Sequence, residues 1–129
     1  VDLNGDQIPE AVLQAYDMRE GCGATGNCPV WVFRWHSGEW QKILDTRDKD
    51  GIGGVELIGI EISAHHDGYR DLVLAAQDSA SEQTVYRYRF HAGKYRQSGC
   101  YEADWQDPND PTRTPFKTPL ITSCRSGVS

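Results

Sequence analysis

The residues with the clearest chemistry stand at the start of the chain. In Asp2-Leu3-Asn4-Gly5-Asp6-Gln7-Ile8-Pro9-Glu10, oxygen-bearing side chains occupy loop positions 1, 3, 5 and 9. This spacing lets a tight turn aim successive side chains inward, and the main-chain carbonyl of Ile8 at position 7 adds another oxygen. Three carboxylates and an amide suit a hard cation, namely calcium, so the expected ligands are Asp2, Asn4, Asp6, the Ile8 carbonyl and Glu10. Position 6 carries Gln7 where such loops use glycine, and forcing the turn without glycine costs about 1 kcal/mol. The same residues also suit an Asx-rich turn whose side chains cap their own backbone.

A second stretch, Ser63-Ala64-His65-His66-Asp67-Gly68-Tyr69-Arg70-Asp71, occupies the equivalent place later in the chain. Serine and histidine replace its first two oxygen ligands, so it is too soft and too weakly charged for calcium and is expected to keep only its turn. His65, His66, Asp67 and Asp71 could form an acid–base group, but no nucleophile accompanies them. There is no Gly-x-Ser-x-Gly elbow, phosphate loop or HExxH pattern, so no catalytic residues are assigned and the chain reads as a non-enzyme.

A third constellation is Arg96-Gln97-Ser98-Gly99-Cys100-Tyr101. A small Ser-Gly tip can reach into a narrow cleft, and its hydroxyl can both donate to and accept from a carboxyl pair. Ser-Gly is also ordinary turn chemistry.

The elements that must carry these residues are strands. Trp31-Val32-Phe33-Arg34-Trp35-His36-Ser37-Gly38-Glu39-Trp40 aligns with Tyr86-Arg87-Tyr88-Arg89-Phe90-His91-Ala92-Gly93-Lys94-Tyr95. Arg34/Arg89, His36/His91 and Gly38/Gly93 are identities, and the aromatic positions coincide. Each copy predicts a strand, a His-x-Gly turn and a returning strand, with Trp31, Phe33 and Trp35 on one face and Val32 and Arg34 on the other. The stripe is either a sugar- or nucleic-acid-stacking platform or, as preferred here, the inner face of a packed sheet. Asp6–Leu13 also aligns with Asp67–Leu74, and Val55–Ile62 reads as an extra strand with a bulge at Gly59.

These readings predict one all-β domain over 1–129: unit one over about 1–45, unit two over about 60–101 and a Pro-rich loop tail over 102–129. Four cysteines allow three pairings, of which Cys22–Cys28 with Cys100–Cys124 is the economical one. Zinc is the rival, although neither pair has the tight spacing usual for zinc. Disulfides imply a periplasmic or secreted setting. A net charge of −6 argues against nucleic acid as a partner. No apolar run approaches the ~18–20 residues of a membrane span. The sequence opens inside a motif, so any signal peptide or lipid anchor is expected outside it.

The D-x-N-x-D pattern followed by an apolar strand resembles the calcium loops of FG-GAP and VCBS-type β-propeller repeats. That resemblance implies a propeller-like or incomplete propeller built from two related, blade-like hairpin units. Ser98-Gly99-Cys100-Tyr101 resembles the SGxY loop of periplasmic lysozyme inhibitors and related secretion-system immunity proteins. It implies that Ser98, Gly99 and Tyr101 contact a peptidoglycan hydrolase, a lysozyme-like muramidase, and block it. The rival expectation is a calcium-stabilised adhesion or carbohydrate/protein-binding module.

Overall fold

Alternating sequence patterns become eight strands in the computed structural model, which describes residues 1–15, 28–47, 56–79, 81–106 and 115–124. They are β1 (Ala11–Gln14), β2 (Val30–His36), β3 (Glu39–Asp45), β4 (Glu56–His66), β5 (Tyr69–Gln77), β6 (Glu82–His91), β7 (Lys94–Gln106) and β8 (Pro115–Ser123). Among the described residues there is no helix. The strands form two antiparallel sheets, β1-β2-β3 and β4-β5-β6-β7-β8, and among the described residues neither is closed into a barrel.

Both repeated hairpins form as expected, and a third is built the same way. The turns at Ser37-Gly38, Asp67-Gly68 and Ala92-Gly93 each follow a histidine and hold two consecutive residues at positive φ, between 50° and 85°. Two-residue turns of this hand match the right-handed twist of the strands they join. The degenerate second loop has thus kept its turn, which links β4 to β5. The extra strand is also present as β4, with a register shift between Leu57 and Gly59.

Both sheets contribute to one core. Val30, Val32, Ile43 and Leu44 from the smaller sheet pack in one cluster with Leu72, Leu74, Tyr86, Tyr88 and Phe90 from the larger, and Leu3 joins them from the N-terminal loop. Tyr69 stacks on Phe90 at 4.0 Å, and Tyr95 meets both edge-on. The Tyr95 hydroxyl donates to the Arg70 carbonyl at 2.7 Å, satisfying the polar end of a buried ring.

The two aromatic stripes have opposite fates, which corrects the expectation that both are core. Tyr86, Tyr88, Phe90 and Tyr95 are buried. In β2 the valines at 30 and 32 face inward, while Trp31 and Phe33 are half-buried and Trp35 is exposed. The reason is chemical. Outward positions of β6 hold Arg87 and Arg89, which forces its aromatics inward. Both faces of β2 are apolar as far as Phe33, so alternation alone does not choose between them.

The tail also differs from expectation. β7 runs on to Gln106, and the Pro-rich segment returns as β8, pairing Tyr101 with Ser123 and Ala103 with Ile121. Proline is compatible with this strand because β8 lies at the sheet edge, where a missing N–H need not break a ladder. The Cys100–Cys124 disulfide forms as predicted, with Cα atoms 5.5 Å apart. The expected Cys22–Cys28 pairing involves Cys22, which lies outside the described residues.

Candidate functional site

Two surfaces combine exposure with chemistry, and an acidic loop lies close to the core aromatics. In the loop, Asp2 accepts from the amides of Gly5 (2.8 Å) and Gln7 (2.9 Å), and Asp6 accepts from Ile8 (2.8 Å). The Asn4 carbonyl oxygen accepts from Asp6, while its amide donates to Asp6 and to the Tyr69 hydroxyl. Glu10 is buried and accepts from Leu3 at 3.0 Å. The Leu3 carbonyl in turn accepts from Arg70 of β5, tying the loop to the larger sheet. Gln7 adopts φ of 69°, the conformation for which glycine would be usual.

Of the five expected cation ligands, the structure brings three carboxylates together: one oxygen each from Asp2, Asp6 and Glu10 lies within 4.8 Å of the others. Asn4 lies beside the cluster, its side-chain oxygen accepting from the Asp6 amide at 3.2 Å and its NH2 donating to Asp6 Oδ2 at 3.1 Å. The donor set is chemically fit for a hard cation, since each carboxylate oxygen keeps a lone pair beside the N–H it accepts. Burial pushes the Glu10 carboxyl above its ordinary value; the Leu3 amide pulls it down, and the charges of Asp6 and Asp2 push it up again. The Asx-turn reading and the cation reading therefore describe one loop, because the hydrogen bonds that shape it leave its charges crowded.

Ser98, Gly99 and Tyr101 do not form a protruding loop. They lie within β7, paired on one side with β6 and, from Tyr101 on, with β8 on the other. Ser98 sits where the register shifts, between the pairs Gln97–Tyr88 and Gly99–Arg87, and its hydroxyl donates to the Arg87 carbonyl at 3.3 Å. Tyr101 is 43% exposed, and its ring lies over Gly99: a Cβ added there would stand 3.7 Å from Cε2 of Tyr101 and 3.7 Å from Cβ of Arg87. The motif thus has a local role, an aromatic ring covering a strand glycine. Its strand setting was hidden in the sequence because β8, the partner that extends the sheet, reads as proline-rich loop.

The outer face of the small sheet was not expected to be open. Leu13 pairs with Trp31, Ala11 and Lys42 flank Phe33, and Trp35 pairs with Trp40. Trp35 is 46% exposed and Trp40 53%, their rings meeting edge-to-face with centroids 5.4 Å apart. The Arg47 guanidinium lies 4.8 Å above Trp31, and Arg47 and Lys42 both pair with Asp45. Burial pushes the Asp45 carboxyl up, but hydrogen bonds from the Arg47 amide, Lys42 and the Arg47 side chain outweigh it and hold it below its ordinary value. The signal was present in sequence as a strand apolar on both faces. No protein-family model, curated protein or solved structure matches this chain.

Proposed function

We propose that this domain is an extracytoplasmic binding module that takes a carbohydrate chain on the outer face of its small sheet. The observation that carries the reading is the exposed Trp35–Trp40 pair, continuous with Phe33 and Trp31 along β2. Indole faces stack on the C–H surfaces of sugar rings, and their burial removes apolar area from water. Lys42, paired with Phe33 on the same face, is an exposed polar neighbour able to hydrogen-bond hydroxyl groups. In this reading calcium at Asp2, Asn4, Asp6, the Ile8 carbonyl and Glu10 supports the fold, and the two hairpin units are related as propeller-like repeats. The Cys100–Cys124 bond suits an oxidising compartment such as the periplasm or the cell exterior. The test is co-sedimentation of the purified domain with insoluble peptidoglycan, chitin and cellulose, alongside tryptophan fluorescence with soluble oligosaccharides. Retention on one of these glycans, lost in Trp40→Ala and Trp35→Ala, is expected. Retention that survives both substitutions, or none on any glycan, overturns the reading.

A second reading keeps the peptidoglycan hydrolase as partner. It is favoured by the exposure of Ser98 and Tyr101 on either side of Cys100, whose bond to Cys124 stiffens the strand before binding. Inhibition of cell-wall lysis by a panel of muramidases, compared for wild type, Ser98→Ala and Gly99→Arg, separates it from the first. An effect of the domain that Gly99→Arg removes and Trp40→Ala leaves intact supports this second reading.

A further inference from the structure

The outer face of the large sheet carries an arrangement that neither reading uses. Arg87 and Arg89 alternate along β6 and so project to the same side, and Arg89 lies directly opposite Arg96 of β7. Like charges directly opposed across a strand pair destabilise it. The counter-charge that Arg87 and Arg89 share is Asp71, whose Oδ2 is 3.7 Å from Nε of Arg87 and 3.8 Å from Nε of Arg89. Those separations are ion pairs but too long for hydrogen bonds, and Oδ2 is left buried without a hydrogen-bond partner. The other oxygen of Asp71 meets Nδ1 of His66 at 2.7 Å.

Asp71 is itself 0% exposed and cannot reach a ligand. It gathers Nδ1 of His66 and Nε of Arg87 and Arg89 around one buried carboxyl group, while the Arg89 and Arg96 side chains remain exposed. Among the described residues, Arg87 spends one outer nitrogen on Glu61 at 3.1 Å. Among the same described residues Arg96 uses Nε on the His91 carbonyl and has no carboxylate partner, and the outer nitrogens of Arg89 have none either. Among the described residues, three guanidinium groups and an imidazole thus face two carboxylates, one of them buried, on a chain of net charge −6.

We propose that the Arg87, Arg89 and Arg96 face, braced by Asp71 and His66, binds an oxyanion: the phosphate or carboxylate group of a ligand, held between Arg89 and Arg96. Planar guanidinium forks match two-oxygen groups, and an anion placed there offsets the repulsion between the opposed arginines. The face corresponds to the second, degenerate loop of the repeat. Where the first loop gathers carboxylates around Glu10, the second keeps Asp71 and surrounds it with basic side chains.

Titration with inorganic phosphate and, separately, with citrate tests the proposal, read by arginine Nε–Hε NMR signals and by melting temperature at physiological salt. Saturable shifts of Arg89 and Arg96 with either probe are expected, together with a rise in melting temperature. Phosphate alone or citrate alone identifies which group the face selects. Arg96→Gln and Arg89→Gln should each weaken binding at least tenfold, whereas Arg34→Gln, which removes the same charge from the other sheet, should change it less than twofold. Arg89 and Arg96 are both exposed, so their variants are expected to fold, as circular dichroism will verify. Absence of saturable shifts with both probes overturns the proposal, and so does equal weakening by Arg34→Gln.

Discussion

Trp35 and Trp40 face each other across the β2–β3 hairpin, one residue pair from its turn, with ring planes at 75°. Pairs of this geometry contribute about 0.5–1.5 kcal/mol beyond area burial. Trp40→Ala should therefore cost about 0.5–1.5 kcal/mol for the lost pair, plus a small area contribution from a half-exposed ring, and less than the ~3–5 kcal/mol of a core tryptophan, measured by urea unfolding. A much larger loss would mean that the pair is core rather than contact surface.

The acidic loop predicts a calcium response with a definite pH dependence. Ionising Glu10 is harder in the folded chain than in the unfolded one, because its carboxyl is held above its ordinary value. Without a cation, the stability contributed by this group is full below the usual glutamate range and lost as pH rises through the raised value. A bound cation holds the ionised form, so the calcium-induced rise in melting temperature should be larger near about pH 7 than near about pH 5. Asp6→Ala should abolish it. Identical melting curves in calcium and in chelator at both pH values would remove the site.

Tyr88 is buried, and its hydroxyl has no partner among the described residues. Burial, with a smaller contribution from Tyr86, pushes its phenol up to about 12. A desolvated, unpaired hydroxyl costs about 1–3 kcal/mol, so Tyr88→Phe should stabilise the fold, read as a higher urea midpoint. Destabilisation would imply a hydrogen-bond partner, such as a trapped water.

Much of this architecture was legible in sequence, and the exceptions share a physical cause. The hairpins at Gly38 and Gly93 announced themselves through His-x-Gly flanked by alternating residues, and Arg87 and Arg89 fixed the facing of β6. Val30, Val32, Trp31 and Phe33 gave no such asymmetry, so the direction of β2 was decided by packing between sheets. Ser98 and Tyr101 looked like loop because β8, the strand that pairs with β7 from Tyr101 on, begins with proline and is separated from β7 in the chain. The opposition of Arg89 and Arg96 follows from the two-residue turn at Ala92-Gly93, which pairs His91 with Lys94 and the residues beyond in step; the register shift that brings Gly99 opposite Arg87 is what no local pattern reveals.

The Ala92-Gly93 turn offers a gain. Ala92 sits at φ of 51°, a region that costs an ordinary L-residue about 1–2 kcal/mol. Asparagine tolerates that region and Asn-Gly is the preferred pair for this turn. Ala92→Asn should raise stability by up to about 1 kcal/mol, measured by thermal unfolding. A loss would show that Ala92 makes a contact its exposure does not suggest.

Replacing Cys100 and Cys124 together by serine should cost about 3 kcal/mol, given a sequence separation of 24. The same denaturation experiment under reducing conditions checks it on the unmodified chain. A change below about 0.5 kcal/mol would mean that the β7–β8 ladder closes that loop unaided.

In the larger sheet, every strand lies beside its neighbour in the chain, β4 through β8 in order. Contacts between sequence neighbours are the ones a chain can form before it has searched far, and proteins rich in them reach the native state quickly. Assembly can begin at the β6–β7 turn and spread outward on both sides, one strand at a time. Cys100 then meets Cys124 only after β8 has docked, so oxidation locks the finished sheet instead of steering its formation.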